Sequence, residues 1–144
     1  MEELLAALEQ AIEDYRTALK ESETKYRPTD GILGFGHSIK DDPCHEQADQ
    51  CVERITAQIR DARPSPQEAE RAALMLLARD DAAAWPASAQ WMLRAIERHC
   101  ISLVPFLSRE AAKTLLKKYD ARYKRWERFP AQEQVYKALK SQAH

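Results

Sequence analysis

Every glycine in the chain falls in one six-residue stretch: Gly31, Gly34 and Gly36 are the only three in 144 residues. Strands that reverse direction need tight turns, and those turns draw heavily on glycine, so a sequence without glycine over most of its length is poorly equipped to build a sheet. Outside that stretch, runs of Ala, Leu, Glu, Lys, Arg and Gln dominate, all residues that lose little on entering a helix. The expected fold is therefore all-α: a compact bundle of about six helices, with one ordered Gly-rich loop (27–42) between the first two. At this length a single domain spanning 1–144 can bury most of what its unfolded chain exposes.

The hydrophobic spacing locates the helices. From Glu2 to Tyr26 the apolar positions Leu5, Leu8, Ile12, Tyr15, Leu19 and Tyr26 recur at three, four or seven residues, the signature of one buried face. In the Gly-rich loop Ile32, Leu33, Phe35 and Ile39 are costly to leave in water, which predicts a packed loop. Asp42 followed by Pro43 reads as an N-cap and first-turn proline, opening a helix to about Asp61 with Cys44, Ala48, Cys51, Ile55 and Ile59 inward. Ser65, Pro66 and Glu68 form a capping-box start for a short third helix with Ala69, Ala72, Ala73, Leu76 and Leu77 on its buried stripe. A fourth helix is expected from Pro86 to about Val104, burying Ala89, Met92, Leu93, Ile96, Cys100 and Leu103. Ser108 caps a fifth reaching about Arg128, with Ala112, Leu115, Leu116, Tyr119, Tyr123 and Trp126 inward, and Pro130 starts a sixth carrying Val135, Ala138 and Leu139.

Composition narrows the class of function. With 44% hydrophobic and 31% charged residues at a formal charge of −1, the chain reads neither as a disordered tail, nor as a membrane protein, nor as a uniformly basic nucleic-acid wrapper. Three cysteines, Cys44, Cys51 and Cys100, argue against a disulfide framework and favour a reducing, cytoplasmic setting. Neither a basic leader nor an apolar stretch approaching the ~18 residues needed to span a bilayer is present, so no membrane association is expected.

Three places carry candidate chemistry. The first is Gly34 to Cys51, where Cys44 in a first helical turn would have its thiolate stabilised by unpaired backbone N–H groups, with His37 or His45 as base or counter-ion. Burial of Cys44 and Cys51 as small core residues, together with the nearby Asp41 and Asp42, weighs against reactivity. His45 and Asp49, one helical turn apart, have the spacing to share a metal ion, but the remaining ligands are badly disposed, and no metal or other cofactor is expected. Gly34-Phe35-Gly36 lacks the rest of any phosphate-binding fingerprint.

The second place is the fourth helix, where Trp91, Arg94 and Arg98 share an α-helical face with Ile101, pointing away from the buried stripe. Either that helix is central and buried on both sides, or this face meets a partner, since tryptophan and arginine are enriched at interface hot spots. His99 falls at the rim of the buried face as a hydrogen-bonded packing residue. The third is the charge distribution: residues 109–144 carry a net +6 and residues 1–108 a net −7. On the fifth helix Lys113, Lys117, Lys124 and Arg128 lie opposite the aromatics, so phosphate capture and base stacking would not share a surface, which disfavours nucleic-acid binding.

The leading functional reading is a non-enzymatic protein-interaction or regulatory module, meeting a protein partner or a second copy of itself, with Trp91, Arg94, Arg98 and Phe35 as binding residues. The alternative is a thiol- or metal-dependent enzyme or sensor centred on Cys44 with His37 and His45. A third is nucleic-acid binding by the basic C-terminal helices.

Overall fold

The computed structural model describes residues 1–25, 43–77, 92–123 and 128–144, and among these it is all-α, with no strand. Five α-helices are delimited among the described residues: α1 (Glu2–Lys25), α2 (Pro43–Asp61), α3 (Pro66–Leu77), α4 (Arg109–Arg122) and α5 (Pro130–Ala143). Between α3 and α4 lie two 3-10 helices, η1 (Arg94–Ser102) and η2 (Val104–Phe106). The Gly-rich loop, with Phe35 and His37, and also Trp91 lie outside the described residues. So do the side chain of Cys44, whose backbone belongs to the first turn of α2, and Asp42, the expected cap of that helix.

Helix α1 packs along α2 and also touches α3, α4 and α5 form an antiparallel pair, and η1 runs through the middle against α2, α3 and α5. The core collects the stripe of each element: Leu5, Leu8, Ile12, Tyr15 and Leu19 from α1, Ala69, Ala72, Ala73 and Leu76 from α3, and Leu93, Ile96, Cys100 and Leu103 from η1 and its flanks. Leu115 and Tyr119 of α4 join Val135 and Leu139 of α5 in the same cluster. Among the described residues no helix is long and apolar enough to cross a membrane.

Local chemistry explains the boundaries. Ser65 and Glu68 form the expected capping box, each backbone N–H bonding the other's side chain at 2.9 and 3.2 Å. Ser108 Oγ accepts from the Ala111 amide at 3.1 Å and opens α4. Just past α2, Arg63 adopts φ 54°, a left-handed position usually given to glycine, and its amide closes onto the Arg60 carbonyl at 3.0 Å.

The structure departs from the sequence expectations in three elements. Helix α4 ends at Arg122, not near Arg128, because Tyr123 turns extended (φ −118°, ψ 102°) and its carbonyl is taken by Arg128 Nε at 3.1 Å. Over Arg94 to Ser102 the expected α-helix is wound as 3-10, which changes which side chains share a face. In α2 the buried positions are His45, Val52, Thr56 and Ile59, whereas Ala48, Cys51 and Ile55 sit half-buried at the flank. The inward line of α2 thus carries polar groups that an apolar count passes over.

Candidate functional site

A 3-10 helix has three residues per turn, so positions three apart stack in lines along it. On η1 one line is Arg94, Glu97, Cys100 and Leu103, a second is Ala95, Arg98 and Ile101, and a third is Ile96, His99 and Ser102. An α-helix would bring Arg94 and Arg98 onto one face; here they stand a third of a turn apart and serve two separate polar clusters.

The first cluster joins η1 to α2. Asp49 Oδ2 accepts from Arg98 Nη2 at 2.6 Å, and Asp49 Oδ1 meets His99 Nε2 at 2.9 Å. Burial opposes ionisation of Asp49, but the hydrogen bonds from His99 and Arg98 outweigh it and hold the carboxyl below its ordinary range. Arg98 is fixed a second time through Nη1 to the Ala95 carbonyl at 2.6 Å. Behind the cluster Tyr15 donates its hydroxyl to the Met92 carbonyl at 2.5 Å, and burial followed by the nearby Asp49 charge drives its ionisation far above the usual range.

Arg98 and His99 open onto a groove of about 410 Å³ between α2, η1 and α5. Thr56, Ala57 and Ile101 supply its less polar wall, Arg60 and Glu53 its charged edges, and Gln134 the α5 side. The size falls within the range of small-ligand and peptide side-chain sites. The Arg98 side chain is 39% exposed, against 16% for Asp49 and 6% for His99, so the arginine is the accessible member of a buried anchor. It spends two of the five N–H donors a guanidinium carries on Asp49 and Ala95.

The second cluster lies on the other side of η1. Glu97 is fully buried. Tyr123 donates to its Oε1 at 2.7 Å and Tyr119 to its Oε2 at 3.1 Å, while Arg122 Nη1 stands 3.9 Å from Oε1. Arg94 stacks 5.1 Å from the centre of the Tyr123 ring, its buried Nε without a hydrogen-bond partner. Burial pushes the Glu97 carboxyl up to about 7, against the pull of the two tyrosines and two arginines. Burial and the Glu97 charge likewise push up the hydroxyls of both tyrosines and the Cys100 thiol, so that cysteine is inert filler in the core.

Of the sequence candidates, Arg98 reaches the groove, Arg94 is diverted into the Glu97 cluster, and His99 is the buried, hydrogen-bonded residue its position suggested. His45 is buried on α2 with Nδ1 lacking a partner, and Asp49 turns to Arg98 and His99. Among the described residues no group of three or more His, Cys, Asp or Glu is placed to hold a metal ion. Cys51 is half-buried, with Arg54 Nη2 3.5 Å from its sulfur. Glu97 was not among the sequence candidates; the available signal was a carboxylate inside the stripe Leu93, Ile96, Cys100, matched by two tyrosines one helical turn apart in α4. Comparison with family models, curated proteins and solved structures returns no match to this chain.

Proposed function

We propose that the chain is a non-enzymatic helical interaction module that takes an acidic segment of a protein partner into the groove between α2 and η1. The observation that carries this reading is Arg98: a guanidinium anchored twice at 2.6 Å by groups of its own fold, yet left partly open on the wall of a groove. Anchoring removes most of the rotamer entropy that an arginine otherwise loses on binding, and the remaining donors suit a carboxylate. Arg60, also on the groove edge and paired through Nε with Asp61 at 3.0 Å, adds a second guanidinium opposite the single lining carboxylate Glu53, while Thr56, Ala57 and Ile101 accept the apolar stem of an acidic side chain.

The test is fluorescence anisotropy at low salt with a labelled oligoglutamate peptide and an oligolysine peptide as control. The glutamate peptide should bind, weaken as salt is added, and lose at least about tenfold in affinity in Ala57→Trp, which fills the groove without touching the Arg98 anchor. Binding equal in wild type and Ala57→Trp, or preference for the lysine peptide, overturns the reading. Light scattering on the same samples identifies a second copy as the occupant if Ala57→Trp abolishes self-association.

One observation favours a second reading. His99, oriented by a carboxylate and lining the same groove, has the arrangement of a general base. Hydrolysis of p-nitrophenyl acetate that disappears in His99→Gln supports it, and equal rates in the two proteins dismiss it.

A further inference from the structure

The groove uses one side of η1; the Glu97 cluster on the other side has no part in it. Three elements meet there through a few bonds. Tyr119 and Tyr123 come from the last turn of α4, Glu97 and Arg94 from η1, and Arg122 both approaches Glu97 and donates to the Leu77 carbonyl at the end of α3. Tyr123 is the residue at which α4 stops, already extended, its amide bonded to the Tyr119 carbonyl at 3.0 Å. Withdrawing its side chain takes the unwinding of a single terminal turn and release of its carbonyl from Arg128 Nε, 3.1 Å away. η1 itself is nine residues long, well beyond the three or four usual for a 3-10 helix, and such stretches often mark hinges.

We infer that this cluster is a proton-operated latch: with Glu97 neutral the end of α4 is closed on η1, and release of its proton opens that end so that the carboxylate meets water.

The charged groups around Glu97 give the device its direction. From η1 they are Arg94 and the Cys100 thiol, from α4 Tyr119, Arg122 and Tyr123, while α3 presents only the Leu77 carbonyl held by Arg122. On α5, which packs against η1, the buried polar residue is Gln132, which is neutral. On α2, Asp49 is bound to Arg98 and His99, on the other two lines of η1. Two tyrosine hydroxyls donate to the carboxylate and two guanidinium groups lie near it, while burial keeps water away. The neutral acid fits the same pocket by donating its proton to a tyrosine oxygen, which can accept as well as donate.

A closed state that titrates near 7 and an open state with the ordinary 4.5 can differ in population by at most roughly 300-fold between acid and mildly alkaline pH. Opening rises as pH rises from about 4.5 to about 7 and levels off above that.

The experiment is amide hydrogen exchange of residues 119–123, followed by NMR from about pH 5 to about pH 8 and corrected for the intrinsic pH dependence of exchange, alongside the ¹³C resonance of the Glu97 carboxyl. Protection in the last turn of α4 should fall by roughly 70-fold across this range, levelling off above about 7 as the carboxyl titration completes, and stay flat in Glu97→Gln. Parallel profiles in wild type and Glu97→Gln, or a Glu97 carboxyl that titrates near 4.5, overturn the latch. If Glu97→Gln fails to fold, Tyr123→Phe serves: removal of the Oε1 donor should move the carboxyl midpoint and the opening to higher pH together, and an unmoved midpoint counts against the inference.

Discussion

Asp49 holds η1 to α2, and Asp49→Asn measures how much that matters. Two hydrogen bonds at 2.6 and 2.9 Å end on this carboxylate, and bonds to a charged partner contribute about 1.5–3 kcal/mol each when truncated. The full sum is not expected. Asparagine keeps a carbonyl oxygen able to accept from one partner, and Arg98, with 39% of its side chain exposed, is partly hydrated whichever residue it faces. The loss should therefore be about 2 kcal/mol, most of it from the buried His99 contact and from the charge removed beside Arg98. Urea unfolding near neutral pH, followed by circular dichroism, reads this as a lower midpoint with an unchanged slope. The pH dependence supplies an independent check. Because the folded carboxyl titrates below the ordinary 3.8, its contribution is present above 3.8 and lost as pH falls through the folded value. The gap between wild type and Asp49→Asn should accordingly narrow in strong acid. A loss under about 0.5 kcal/mol, or a gap that stays constant on acidification, refutes the reasoning.

Glu97 has the opposite sign: its folded value of about 7 stands above the ordinary 4.5, so the stability it contributes is fully present below 4.5 and lost as pH rises through about 7. The loss amounts to at most about 3 kcal/mol. Wild-type melting temperature should decline over that interval and Glu97→Gln should flatten the decline; a wild-type profile that climbs with pH contradicts it. Leu93→Ala, at a fully buried position beside η1, should lower the unfolding free energy by about 2–5 kcal/mol, and a loss below about 1 kcal/mol would show that the cavity collapses freely. Arg63→Gly at φ 54° should raise stability by about 0.5–1 kcal/mol, relief of left-handed strain exceeding the added chain entropy; a lower urea midpoint would argue against it.

What the sequence made legible is governed by local rules. The α1 stripe from Leu5 to Leu19, the Ser65–Glu68 box and the Ser108 cap depend on residues a turn or less apart, and each is found where those rules put it. The errors arise where a side chain's preference is decided by a distant partner. Tyr123 satisfies the α-helical spacing of its neighbours, yet the Glu97 carboxylate takes its hydroxyl and Arg128 its carbonyl, so α4 stops there. His45, Asp49 and Thr56 fall on the same helical line as Val52 and Ile59, but hydrophobic counting assigns polar residues to the outside. Only the presence of Arg98 and His99 opposite makes an inward Asp49 affordable.

The winding of η1 determines the candidate site. On an α-helical wheel Arg94 and Arg98 lie closer together than either lies to Glu97, giving a cationic edge suited to contact with a partner. With three residues per turn, Arg94 lines up with Glu97 and is drawn into a buried cluster with Tyr123, whereas Arg98 lines up with Ile101 on the groove. Each polar cluster favours that winding in return. Restoring α geometry would shift Arg98 and His99 relative to Asp49, and Glu97 relative to Tyr119 and Tyr123, leaving buried charges unpaired at a cost of several kcal/mol. Opening the Glu97 side removes half of that restraint while leaving Asp49 bound to Arg98 and His99. If η1 responds as one body, occupancy of the groove and protonation of Glu97 should be linked, each altering the other by the same factor. The glutamate peptide used to test the groove would then bind with a pH dependence that Glu97→Gln removes, and a pH dependence identical in the two proteins would show that the two sides of η1 act independently.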